Sequence, residues 1–134
     1  MSVTHLYKKR LGPWGLVARV TLEAGPVDEP PREARFIGDS RVRLLPPPGI
    51  TPAETRWMDF GLGLVAGQLE ALWAGTGPIL VRVTGYDVPM LTDYQDEVAA
   101  AALVECLREH YGLTGVEIGL TFDGEHNRYD FTWG

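Results

Sequence analysis

Cys106 is the only cysteine in the chain. That excludes an internal disulfide framework and a multi-cysteine zinc site. Long apolar runs are missing too. The best, residues 60–66, falls far short of the roughly 18–20 residues of a bilayer span and is interrupted by glycines. The opening MSVTHLYKKRLGP has no apolar stretch of signal-peptide length, so a cytoplasmic, soluble protein with no membrane role is expected. No G-x-x-x-x-G-K-[ST] run is present, which excludes a P-loop, and no G-x-S-x-G elbow marks a serine nucleophile. The three histidines, His5, His110 and His126, have no H-x-x-x-H spacing. The sequence therefore predicts neither a metal nor a cofactor.

What is present suits one globular domain spanning 1–134. The chain has 134 residues, 45% hydrophobic and 22% charged, enough to bury a core without a covalent or metal staple. The net charge of −6 weighs against a general nucleic-acid binder. The charge is unevenly placed, however. Residues 1–43 carry eight bases and five acids, and residues 44–134 carry four bases and thirteen acids. Nucleic-acid contact is thus confined to the basic N-terminal segment, through Lys8, Lys9, Arg10, Arg41 and Arg43.

Trp14 to Glu23 alternates as a half-buried strand, with Arg19, Thr21 and Glu23 on the polar side. GPVDEPPR (25–32) is a proline-rich loop, and residues 34–45 form a second strand region broken near Gly38-Asp39-Ser40. After Pro46-Pro47-Pro48-Gly49, Thr51-Pro52-Ala53-Glu54 combines an N-cap threonine, a proline at the first helical position and a capping-box glutamate. Met58, Leu62, Val65, Leu69 and Leu72 continue as a helical stripe. Gly61, Gly63 and Gly67 each weaken that helix, and close approach to strands is the expected compensation. Ile79 to Tyr86 reads as a central strand. A second helix is expected to open at Thr92-Asp93-Tyr94-Gln95 and to end at Gly112. A C-terminal hairpin (115–133) turns at Asp123-Gly124. The order β-β-α-β-α-β-β predicts an α+β two-layer sandwich, with two helices on one face of a four- or five-stranded sheet.

The run Val81-Arg82-Val83-Thr84-Gly85-Tyr86-Asp87, followed nine residues later by Glu97-Val98-Ala99, resembles domain IV of translation elongation factor G. With Trp14-Gly15-Leu16-Val17-Ala18-Arg19-Val20 as a first strand, the likeness spans about residues 14–112. The resemblance implies a sheet with two helices on one face and a left-handed crossover. It implies ribosome association only weakly, since function resides in sites rather than folds. The chain has no GTPase motif, and its acidic second half suits ribosomal RNA phosphates poorly.

Asp87, Asp93, Asp96 and Glu97 form the densest polar group. Two carboxylates near a strand end suit an acid–base pair or a cation. Acids at a helix N-terminus are also stabilising without any function, which covers Asp93, Asp96 and Glu97 but not Asp87. His110 near a helix end and His126 beside a turn are the candidate proton carriers. Tyr129, Phe131 and Trp133 alternate on one face of the last strand, as core residues or as an edge for pairing with a partner or a second copy. Taken together, these features favour a non-enzymatic protein-binding module of immunity or regulatory type, acting through a charged surface or an edge strand. One alternative is a small tailoring or hydrolytic enzyme using Asp87, Asp93 and His110 or His126. The other is a ribosome- or RNA-associated factor.

Overall fold

A computed structural model describes residues 2–90 and 92–134. Along the chain run β1 (Val3–Lys9), β2 (Leu16–Pro26), β3 (Arg35–Phe36), β4 (Val42–Leu45) and α1 (Pro52–Leu72). They are followed by β5 (Ile79–Asp87), α2 (Val98–Tyr111), β6 (Ile118–Asp123) and β7 (Arg128–Trp133). The first five strands make one mixed sheet in the order β1-β2-β5-β4-β3. Neighbours are antiparallel except β4 and β5, which run parallel and are joined through α1. Both helices pack on one face of this sheet, giving the expected α+β two-layer sandwich.

Alternation decides which residues meet the helices. Leu16, Ala18, Val20 and Leu22 of β2, Val42 and Leu44 of β4, and Ile79, Val81 and Val83 of β5 are all buried in the core. The ladder between β2 and β5 slips between Thr21 and Leu22, leaving Thr84 without a register partner. This bulge reverses the alternation of β5, so that Tyr86 faces the helix layer and Asp87 lies on the open side opposite Arg19.

The capping box of α1 forms as read. Thr51 Oγ1 accepts from the Glu54 N–H at 3.1 Å, and Glu54 Oε1 accepts from the Thr51 N–H at 2.9 Å. Met58, Leu62, Val65 and Leu69 are fully buried, and the stripe ends before the exposed Leu72. The glycines of α1 do not approach strands as expected. A Cβ on Gly61 would lie 3.0–3.1 Å from Ala100 of α2, one on Gly63 would meet only Ile37 at 3.9 Å, and one on Gly67 would meet nothing within 4 Å. The close approach is between the two helices. Four consecutive buried alanines, Ala99 to Ala102, give α2 a smooth surface for it.

Three further differences from the sequence reading have physical causes. β1 is a strand because it pairs with β2 over its whole length, but its helix-facing positions include His5 and Lys9, which hide the apolar alternation. The second helix starts at Val98 rather than at Thr92, and its N-cap Glu97 makes no side-chain cap bond. The polar side chains of residues 93–95 are committed to other elements instead. The C-terminal hairpin forms its own two-stranded sheet and packs its apolar face against the core. Its turn runs from Gly124 to Asn127, with Asn127 left-handed at φ 51°.

Candidate functional site

The connector before α2 holds the densest set of side-chain bonds. Asp93 N–H donates to the Gly15 carbonyl at 2.9 Å, and its Oδ2 accepts from the Trp14 N–H at 3.1 Å. The same oxygen lies 2.8 Å from the Tyr129 hydroxyl, whose proton is shared between Asp93 and the Leu11 carbonyl. Burial, then the bond to Asp93, pushes the Tyr129 hydroxyl up to about 12. Gly12 is left-handed at φ 71°, and a Cβ there would collide with that hydroxyl. Tyr94 donates to Glu54 Oε2 at 2.5 Å and meets the Tyr86 hydroxyl at 2.9 Å, so the α1 capping glutamate also anchors the connector. Burial raises both tyrosines well above their ordinary range, and the bond to Glu54 adds to the rise at Tyr94. Gln95 bonds both backbone groups of Tyr129, donating to the carbonyl at 2.9 Å and accepting from the N–H. Asp93, Tyr94 and Gln95 thus pin three elements to one another, and Asp93 acts as a latch.

The other acid–base candidates do not join it. Asp87 is exposed at the end of β5 and, although in register with Arg19, makes no ion pair with it among the described residues. His110, in the last turn of α2, bonds the Thr4 carbonyl of β1 at 3.1 Å. His126 sits on the hairpin turn with Nδ1 2.6 Å from Asp123 Oδ2. That hydrogen bond holds the Asp123 carboxyl below the usual range, assisted by the N–H groups of Glu125 and His126. Donor atoms of Asp123, Glu125 and His126 lie within 4.8 Å of one another. Both Asp123 oxygens already serve the turn. Cys106 is fully buried on α2, and burial pushes its thiol up to about 12, far from a reactive thiolate.

The aromatic tail faces inward. Tyr129 is buried, and Trp133 stacks on Trp57 at 5.7 Å and meets Phe60 edge-on at 5.3 Å. Phe131 stacks on Trp133 at 5.5 Å. At Tyr129 the outer edge of β7 is occupied by Gln95.

The candidate bases separate by location. On the helix side, Lys9 and His5 share Glu105 at 3.1 and 2.8 Å. Arg35 of β3 clasps Asp59 of α1 at 2.6 Å. The Arg41 guanidinium bonds carbonyls of Glu70, Trp73 and Gly77 where α1 ends. The opposite sheet face has no helix on it. It presents Lys8 and Arg19, neither of which has a partner among the described residues. Arg82 faces Glu23 at 3.6 Å, and Arg43 lies over the Phe36 ring at 4.1 Å. Among the described residues Arg43 uses only one nitrogen, Nη1, which donates to the Ser40 and Val42 carbonyls. Arg10 lies on the β1–β2 loop, outside both faces. Lys8 therefore belongs with Arg19, Arg82 and Arg43 rather than with Lys9.

The concavities are shallow and lie toward the Arg43 end of this face. One of about 210 Å³ is lined by Glu23, Val27, Leu80 and Arg82 among others. Another of about 490 Å³ includes Phe36, Ser40, Arg41 and Arg43. Neither is lined by Asp87, Asp93, His110 or His126. Arg19, Arg82 and Phe36 are functional candidates that the sequence reading did not single out. The alternation of β2 already placed Arg19 away from the core, but without β1 the open face has no visible extent. Among the described residues, no helix is long and apolar enough to cross a membrane. Compared with known protein families, curated proteins and solved structures, the chain matches none of them.

Proposed function

We propose that this protein is a non-enzymatic protein-binding module whose working surface is the open face of its five-stranded sheet. The observation that supports this most is the uncovered face itself, where exposed Leu6 and Phe36 share the surface with Lys8 and Arg19, two bases without a carboxylate partner among the described residues. The enzymatic alternative requires Asp87, Asp93 and a histidine to converge. Asp93 is instead bonded to a loop and to β7, His110 to β1 and His126 to its own turn. The RNA-associated alternative drew on Lys8, Lys9, Arg10, Arg41 and Arg43 as one patch. Lys9 and Arg41 are consumed by the helix layer, which leaves too few bases together for strong phosphate binding.

The test is affinity capture from native lysate at low and high salt, with Lys8→Glu/Arg19→Glu as the comparison. A stoichiometric protein retained by the wild type and lost by the variant is expected. The absence of a stoichiometric protein at either salt contradicts the reading.

A further inference from the structure

The occupant of the open face follows from its charge, its size and its one aromatic ring. The face carries Lys8, Arg19, Arg43 and Arg82 against Glu23 and Asp87, a local excess of positive charge on a chain of net charge −6. On the helix side, by contrast, Lys9, Arg35 and Arg41 are each held by acids or carbonyls. Lys8 and Arg19 have no partner among the described residues, and with Arg43 and Arg82 they give one side of an acidic protein a positive excess that complements an acidic surface.

Three kinds of occupant would meet this face differently. A second copy docked face to face would set two faces of the same positive excess against each other, and like charge opposes that. A single-stranded nucleic acid would need stacking surfaces. Among the described residues Phe36 is the single aromatic side chain on the open face, and the Arg43 guanidinium already covers one side of its ring. Glu23 and Asp87 would also face the phosphates. An acidic protein segment needs no stacking surface, and its carboxylates can be spaced apart by neutral residues so that they need not fall opposite Glu23 and Asp87.

Size narrows the partner further. Five strands about 4.8 Å apart, with about 3.3 Å per residue, make a face roughly 20 Å on a side, or about 400 Å². That is about half of what each partner gives to a standard protein interface. An extended segment fits it better than a globular domain.

Building on the binding-module reading, we infer that the open sheet face of β1, β2, β5, β4 and β3 docks an extended acidic segment of another protein. Its carboxylates meet Lys8, Arg19 and Arg43, and its apolar side chains lie on Leu6, Val17 and Phe36. Met90 and Trp14, 89% and 63% exposed on the loops beyond β5 and β1, lie outside this footprint.

The experiment is an NMR titration of the ¹⁵N-labelled protein with two probes. One is a capped ten-residue peptide alternating glutamate and valine, and the other is a ten-nucleotide oligo(U). The peptide is expected to shift amides of residues 4–8, 17–23, 43–45 and 80–87. Lys8→Glu/Arg19→Glu, both at exposed positions without bonds to break, is expected to weaken it by about tenfold or more. Arg43→Glu serves as an independent second variant. Peptide shifts confined to the hairpin or to the Trp14 and Met90 loops would overturn the inference, as would no shifts up to about 1 mM peptide. Tighter binding of oligo(U) on the same residues would overturn it in favour of RNA. Lysate capture separates the two readings: a stoichiometric partner indifferent to the open-face variants leaves a binding module standing and removes this surface from it.

Discussion

Replacing Asp93 tests whether this carboxylate is a latch or a free acid. In Asp93→Ala the Trp14 N–H and the Tyr129 hydroxyl lose a common acceptor, now 3.1 and 2.8 Å away. Hydrogen bonds to a charged acceptor contribute about 1.5–3 kcal/mol each. Asp93 is only half-buried, so water compensates part of the loss, and the expected cost of the pair is about 2–3 kcal/mol. For a chain of this length that lowers Tm by roughly 6–12 °C. Tyr129→Phe removes one of the two bonds, together with the share of that proton held by the Leu11 carbonyl, and should cost about 1 kcal/mol or more, with a coupling of about 1 kcal/mol to Asp93→Ala in a double-mutant cycle. Urea unfolding followed by tryptophan fluorescence reads all three variants. Asp93→Ala within about 0.5 kcal/mol of wild type, or strict additivity with Tyr129→Phe, would refute the latch.

Further outcomes follow from the packing. Gly61→Ala places a Cβ 3.0 Å from the Ala100 carbonyl, and its overpacking cost of about 1–3 kcal/mol should exceed the roughly 1 kcal/mol gained in helix propensity. Gly67→Ala, with open space around it, should instead raise stability by up to about 1 kcal/mol in the same denaturation assay. Tyr7, Tyr86, Tyr94 and Tyr129 all have their hydroxyls raised in the folded state, primarily by burial. Their contribution is intact below the ordinary tyrosine value of 10.0 and is lost as pH climbs through the raised values, about 12 for Tyr129. In Tyr111→Phe, which leaves only these four, absorbance at the tyrosinate band should therefore rise together with loss of circular dichroism, and a rise well before unfolding would count against the burial. Cys106 should resist a thiol reagent in the native protein and react only at the unfolding rate; prompt labelling would show that α2 opens locally.

The elements most legible in the sequence are those whose signals are local. Thr51 and Glu54 specify a helix start by bonding only to each other, so pattern and structure agree there. Thr92 to Gln95 carries a similar pattern and yields no helix. Its side chains find stronger partners that are distant in sequence: Trp14 and Tyr129 for Asp93, Glu54 for Tyr94, and the Tyr129 backbone for Gln95. β1 was obscured because His5 and Lys9 point inward at Glu105, an acid one hundred residues away. The open face was half legible. Arg19 and Glu23 were visible on the polar side of β2, but their neighbours Lys8, Arg82 and Arg43 come from three other strands. The bulge at Thr84, which puts Asp87 rather than Tyr86 on that face, leaves no sequence signal.

A charge exchange on the open face tests the central claim most directly. The wild type and Lys8→Glu/Arg19→Glu/Arg43→Glu would each be titrated with the glutamate–valine peptide and with its lysine–valine counterpart, at matched ionic strength and with folding checked by circular dichroism. The wild type is predicted to bind the acidic peptide and not the basic one, and the variant to show the reverse preference. Equal preference in the two proteins would place the binding surface somewhere else.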